Sequence, residues 1–149
     1  MTLPTLRRVF VDLSVHLLIA VACSWVIYAE SGSVMYVFIF LLGGVLVDLD
    51  HCIDHLIFYK NTFKIREFLI CSQLCSGRVY LFFHSWEFTL LILLAGILSG
   101  SYGLLLFSWA LIIHLFVDNI QRKNLAFYFL IYRGIKKFDV SILLPELAI

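Results

Sequence analysis

Apolar residues along the chain gather in four long runs, and the stretches between them carry most of the charge. A bilayer core takes about 20 apolar residues per helix. Four segments have that character: about 12–29, 34–56, 81–99 and 102–120. The first two are joined by Glu30-Ser31-Gly32-Ser33 and the last two by Gly100-Ser101-Tyr102-Gly103. Connections this short predict two antiparallel helical hairpins. Residues about 62–76 are amphipathic and residues about 124–137 set aromatic beside basic residues; both are expected to form helices lying along a membrane surface. No repeat or flexible linker interrupts the pattern. The expectation is an all-α integral membrane protein, a four-transmembrane-helix bundle with amphipathic interfacial helices, with residues 1–149 as a single membrane-embedded domain.

Composition agrees with that pattern. Hydrophobic residues make up 62% of the chain and mean hydropathy is +1.00, whereas a soluble domain is closer to half apolar. A net charge of +1 gives no overall attraction to nucleic acid. The N-terminus begins as a signal peptide would, but Asp12 and His16 interrupt its apolar run, so it reads as a retained first helix. Cys23, Cys52, Cys71 and Cys75 lack the spacing of a secreted disulfide framework and read as reduced thiols.

Charge sets the expected orientation. All eleven Lys and Arg fall in three regions: Arg7 and Arg8; Lys60 to Arg78; and Arg122 to Lys137. With four spans these regions share one side, and the other two connections carry neither Lys nor Arg. The positive-inside rule then predicts that both termini are cytoplasmic.

The ionisable residues inside the apolar runs are the candidate chemistry. Each of the five histidines lies near the cytoplasmic end of an expected span. Four form pairs with a carboxylate three or four positions away: Asp12 with His16, Asp48 with His51, His84 with Glu87, and His114 with Asp118. Positions so spaced share a helix face. In the second span Asp48, His51 and His55 fall within a sector of about 60°, calculated from the helical pitch. A single pair near a membrane boundary has an ordinary reading as a solvated helix end or an interhelical hydrogen bond. Four pairs at one depth are costly to bury unless something neutralises them, and a divalent cation does so.

Histidine with carboxylate suits zinc foremost, with manganese and iron as alternatives. His16, Asp48, His51, His55, His84, His114 and Asp118 are the expected ligands, enough for one or two ions. Asp12 is expected to orient a ligand histidine. Cys52, beside the His51 face, and Cys71 with Cys75 read first as packing residues. Leu41-Leu42-Gly43-Gly44 lacks the Lys-Ser/Thr of a phosphate loop, so its glycines are expected to permit close helix approach. The basic residues after the last span, Arg122, Lys123 and Arg133 with Lys136 and Lys137, are candidates for gripping a lipid phosphate.

Three stretches resemble one family. Asp48-Leu49-Asp50-His51 is similar to its Asp-x-Asp-His motif. His84-Ser85 resembles the end of its His-Arg-Gly-x-Thr-His-Ser motif, and His114-Leu115-Phe116-Val117-Asp118 its His-x-x-x-Asp motif. His16 resembles its N-terminal histidine. The family is that of the small bacterial inner-membrane proteins described as membrane-bound metal-dependent hydrolases. The likeness runs from about residue 12 to 120, and it lacks the first histidine and the glycine of the second motif, where this chain reads Arg78-Val79-Tyr80-Leu81-Phe82-Phe83-His84-Ser85. It implies a metal-dependent hydrolase of a bacterial inner membrane, with His16, Asp48, Asp50, His51, His84, His114 and Asp118 in its polar site.

The leading functional expectation is a hydrolase for a membrane lipid or lipid-linked substrate, a phosphoester foremost, acting at the inner-leaflet headgroup level. Glu87 or Asp50 would take the proton of the attacking water. The alternative is a membrane metal-ion or proton transporter or binding protein, since intramembrane His and Asp commonly mark ion pathways. Transport sites favour the midplane, however, and the outer halves of the runs carry no ionisable group before Glu30. A haem site needs no carboxylate beside each histidine, and a di-iron bundle needs Glu-x-x-His repeats that the chain lacks. A structural subunit needs no such cluster at all.

Overall fold

The computed structural model describes residues 6–69, 77–122 and 124–145, with side chains described from residue 10 onward and not at 122. Among the described residues the regular structure is helical, apart from one isolated antiparallel bridge between Arg78 and Asp139. Helix α1 (Leu6–Ser31) turns at Gly32 into α2 (Val34–Leu46), which leads into α3 (Leu49–Phe58) and the short α4 (Ile65–Leu69). Helix α5 (Trp86–Ser99) turns at Gly100 into α6 (Tyr102–Arg122). Three apolar stretches are long enough to cross a bilayer: Phe10–Ser31, Val34–Phe58 and Tyr102–Gln121. The chain is thus an all-helical protein of membrane type.

Helix α6 is central, packing against α2 on one side and α5 on the other, while α1 lies mainly on α2. Gly43 makes the α2–α6 contact close. A Cβ there would stand 2.9 Å from both the Ala110 Cβ and the Phe107 carbonyl oxygen. The rings of Tyr36 and Tyr102 meet at 4.9 Å, which puts the α1–α2 and α5–α6 turns at the same end of the bundle. Outward-facing residues such as Leu18, Trp25 and Leu98 are 70%, 73% and 85% exposed, so these helices are apolar toward their surroundings, as contact with lipid requires.

The second apolar run does not continue as one straight helix. Between α2 and α3 the bonding shifts from i→i−4 to i→i−3: Asp48 N–H to Val45 O, Asp50 N–H to Val47 O, and His51 N–H to Asp48 O, at 3.1–3.3 Å. This tighter winding rotates α3 relative to α2. The third run, expected over about 81–99, is helical only from Trp86. Ser85 is extended and its hydroxyl accepts from the Phe88 N–H at 3.2 Å, so the helix starts there. Its 14 residues span about 21 Å at 1.5 Å per residue, less than the roughly 30 Å of a hydrocarbon core.

Residues 77–85, ahead of α5, are not helical, and Val79 and Leu81 pack against the C-terminal segment. The expected surface helix over 124–137 is instead a folded tail: a 3₁₀ turn (Leu125–Tyr128), α7 (Leu130–Ile135) and α8 (Val140–Leu143). Phe127, Tyr128, Val140, Leu143 and Leu144 bury themselves against Val79, Leu81 and Leu115. One side of this tail is buried in that way, while Leu125, Ile131, Ile135 and Ile142 stay exposed. Of the other expected surface helix, over 62–76, the described residues hold only α4, and the remainder lies outside them.

Candidate metal centre

Four elements converge at the end of the bundle opposite the two turns. Helix α1 brings His16, the α2–α3 junction Asp48, the segment before α5 brings His84, and α6 brings His114 and Asp118. His114 and Asp118 share a face because four residues make about one turn. Asp48 enters because the tight turns at Val47–Asp48 place it at the head of α3.

Two overlapping groups of three side chains could each hold an ion: Asp48, His84 and His114, and His16, His114 and Asp118. Asp48 Oδ1 lies 3.7 Å from His84 Nε2 and 3.6 Å from His114 Nε2. Asp118 Oδ2 lies 3.8 Å from each of the same two nitrogens. These separations are too long for hydrogen bonds. They come within a few tenths of an ångström of the edge of a tetrahedron, about 3.3–3.6 Å for metal–ligand bonds of 2.0–2.2 Å. His84 is 1% exposed, and its Nε2 is buried with no hydrogen-bond partner. A buried nitrogen facing two carboxylates at non-bonding distance fits a cation between them. The two groups share His114, whose Nε2 faces both carboxylates.

The neighbouring groups orient these donors. Asp50 is buried; its Oδ2 accepts the backbone N–H of His84 at 2.8 Å and lies 3.4 Å from His84 Nδ1. That turns His84 Nε2 toward the cluster. His16 Nε2 lies 3.1 Å from Asp118 Oδ1, on the far side of the carboxylate from Oδ2. His16 Nδ1 stands 3.0 Å from the backbone carbonyl of Asp12 and 3.6 Å from its carboxylate, so the Asp12 main chain does the orienting expected of its side chain. His51 packs its ring on that of His84 at 4.9 Å.

Several expected site residues serve elsewhere. His55 shares a face with Asp48 but lies seven positions on, about 10 Å along a helix axis. Its Nε2 accepts the Lys64 N–H at 3.1 Å and its ring lies among Tyr59, Phe63 and Phe68. Glu87, expected to accept the proton, has both carboxylate oxygens committed to α7, to the N–H groups of Leu130 at 2.8 Å and Ile131 at 3.0 Å. The three-residue rule failed there because His84 precedes the cap and is not helical. Asp50, the other expected acceptor, is engaged by His84.

Arg133 is the largest correction. Expected at a lipid phosphate, it is fully buried. Its guanidinium donates to the carbonyls of Leu81 at 2.6 Å, Phe127 at 3.0 Å and His84 at 3.1 Å. Burial pulls its pKa down to about 10, opposed by the charges of Asp50, Glu87 and Asp54, so it stays protonated at neutral pH. Irregular backbone beside an apolar bundle must have its carbonyls satisfied, and Arg133 does this for the loop that carries His84. Leu81 in that loop has a left-handed backbone (φ +47°), a conformation that its bond to Arg133 helps hold. No local sequence signal announced this role, since the residues concerned are about 50 positions apart. Lys123 and the Arg122 side chain lie outside the described residues.

The chain matches no family model, no curated protein and no solved structure.

Proposed function

We propose that this protein is a membrane-bound metal-dependent hydrolase acting on a lipid or lipid-linked phosphoester at the cytoplasmic face of a bacterial inner membrane. The observation that carries the reading is the set of four donors, Asp48, His84, His114 and Asp118, with four of their mutual N···O distances at 3.6–3.8 Å and one buried nitrogen lacking a hydrogen bond. A divalent cation held there, zinc foremost, would supply an activated water and a Lewis acid for the scissile oxygen. The chain's own groups do the rest. Asp50 fixes His84, His16 adds a donor beside Asp118, and Val79, Leu81, His84 and Ser85 of the segment before α5 are buried on one side. Asp48 is the approach side, since its side chain is 45% exposed while the other three donors are at most 13% exposed.

The resemblance of the three motifs supports the reaction class. The bias of Lys and Arg to one end supports cytoplasmic termini, and Ser31 and Ser101 mark the opposite end.

Elemental analysis of the purified protein, then incubation with a bacterial lipid extract and mass spectrometry of released headgroups, tests the reading. One or two divalent ions per chain and metal-dependent release are expected. Protein that stays metal-free after incubation with Zn²⁺, Mn²⁺ and Fe²⁺ removes it. Bound metal with no lipid turnover, but ion flux in proteoliposomes, replaces the hydrolase with a transporter.

A further inference from the structure

A cleft of about 120 Å³ lies between α1, α2 and α6 and ends at the donor cluster. Its inner wall includes Phe40, Ala110 and Ile113, and the polar side chains around it are His16, Asp48 and His114. Leu13, Leu17 and Val45 border it and are exposed on the apolar outer surface of α1 and α2. The cleft therefore runs from a surface suited to lipid, along apolar walls, to a group of metal-binding side chains.

Two adjacent glycines separate packing from the cleft. Gly43 is required by the close approach of α6. Gly44 has no such reason: a Cβ there would meet nothing within 4 Å, and the residue lines the cleft. Glycine is among the poorest helix formers, so its presence in α2, at a position with room for a side chain, leaves the cleft open.

We infer that this cleft holds one hydrocarbon chain of a membrane lipid, with the lipid's polar head at Asp48, His84, His114 and Asp118. The inference rests on the metal-site reading above and names the substrate as an amphiphile entering sideways from the bilayer. A cavity of about 150 Å³ accepts a benzene molecule, so the volume here suits a segment of about five carbons of a single chain. An apolar wall closed by ionisable groups matches an amphiphile along its length. It does not match a hydrated ion, which needs polar groups along its path.

The test uses the full-length protein in vesicles of phosphatidylethanolamine and phosphatidylglycerol that include a phospholipid with a diazirine on one acyl chain, close to the headgroup. After illumination, adducts are mapped by peptide mass spectrometry, and metal content and headgroup release are measured in parallel. Adducts concentrated on Phe40, Ala110 and Ile113 are expected. They should be lost in Gly44→Leu, which fills the cleft from a position with free space, while metal is retained. Leu17→Trp, at the rim, is the second variant should Gly44→Leu not fold, and the same loss is expected. Adducts spread evenly over exposed helix faces, unchanged in the variants, overturn the inference. Cleft adducts without headgroup release uphold the lipid site and count against the hydrolase. Headgroup release with no cleft adducts does the reverse.

Discussion

Arg133 holds His84 in place from the far end of the chain: its Nη1 donates to the His84 backbone carbonyl at 3.1 Å. The same guanidinium reaches the Leu81 and Phe127 carbonyls, so one side chain ties the C-terminal tail to the loop carrying a cluster donor. Arg133→Met would leave three carbonyls without their donor. At about 1–3 kcal/mol for each buried unsatisfied group, the expected loss is more than about 3 kcal/mol. Arg133→Lys should recover only part of it, because an ammonium is a point donor and cannot reproduce the planar fork. Metal affinity should fall with stability, by about tenfold or more, as when an orienting partner is lost. Thermal unfolding in detergent and metal titration read both. Unchanged metal affinity in a folded Arg133→Met would detach the tail from the site.

Glu87 fastens the tail to α5, with the acceptor now on the α5 side. Its carboxylate, at the start of α5, caps α7, whose own N-cap residue Phe129 has no capping side chain. Glu87→Gln keeps one acceptor and sets an amide NH₂ against the second backbone N–H. The expected cost is about 1–3 kcal/mol, seen as a lower melting temperature with metal content intact. A general base would behave otherwise, with stability kept and turnover reduced by roughly 10²–10⁴-fold. That second pattern would restore Glu87 to the chemistry.

Asp50 and His84 should differ in degree. His84→Ala removes a donor of the four and should abolish high-affinity metal binding. Asp50→Asn keeps the size of the side chain but weakens its hold on His84. Loss of an orienting partner typically lowers metal affinity 10–100-fold, and that range is expected for Asp50→Asn. Competition titration with a metal-sensitive dye distinguishes the two. Equal loss in both variants would make Asp50 a ligand in its own right.

The sequence disclosed the apolar lengths and the donor types because both are local. Runs of Leu, Ile, Val and Phe mark helices long enough for a bilayer, and His114 with Asp118 needs only an unbroken α6 to share a face. What it hid depends on breaks in that regularity. Helical spacing put Glu87 beside His84, but Ser85 begins the helix one residue after the histidine. It put His55 with Asp48, though sharing a face does not mean sharing a depth. Asp50 was expected as a proton acceptor, and the tight turns at Val47–Asp48 bring it to His84 instead. Arg133 reads as a headgroup ligand in the sequence because it belongs to a basic cluster with Lys136 and Lys137. Its burial depends on carbonyls about 50 residues away, which no periodicity encodes.

The two neighbouring glycines of α2 give a stability test that needs no assay of function. A methyl group at Gly43 would press on the Ala110 Cβ and the Phe107 carbonyl oxygen, each at 2.9 Å. The Phe107 oxygen is helix backbone and cannot swing aside, so α2 and α6 must separate. Overpacking of this kind costs about 1–3 kcal/mol, and Gly43→Ala should lower the melting temperature. At Gly44 the added methyl meets nothing within 4 Å. Replacing a helical glycine with alanine gains up to about 1 kcal/mol where nothing clashes, so Gly44→Ala should be neutral or stabilising. Opposite signs at adjacent positions would establish that α6 packs against the Gly43 face of α2 and leaves the Gly44 face open. Equal destabilisation by both substitutions would mean that α2 is rotated from the orientation described, and the cleft beside Gly44 would not exist in that form.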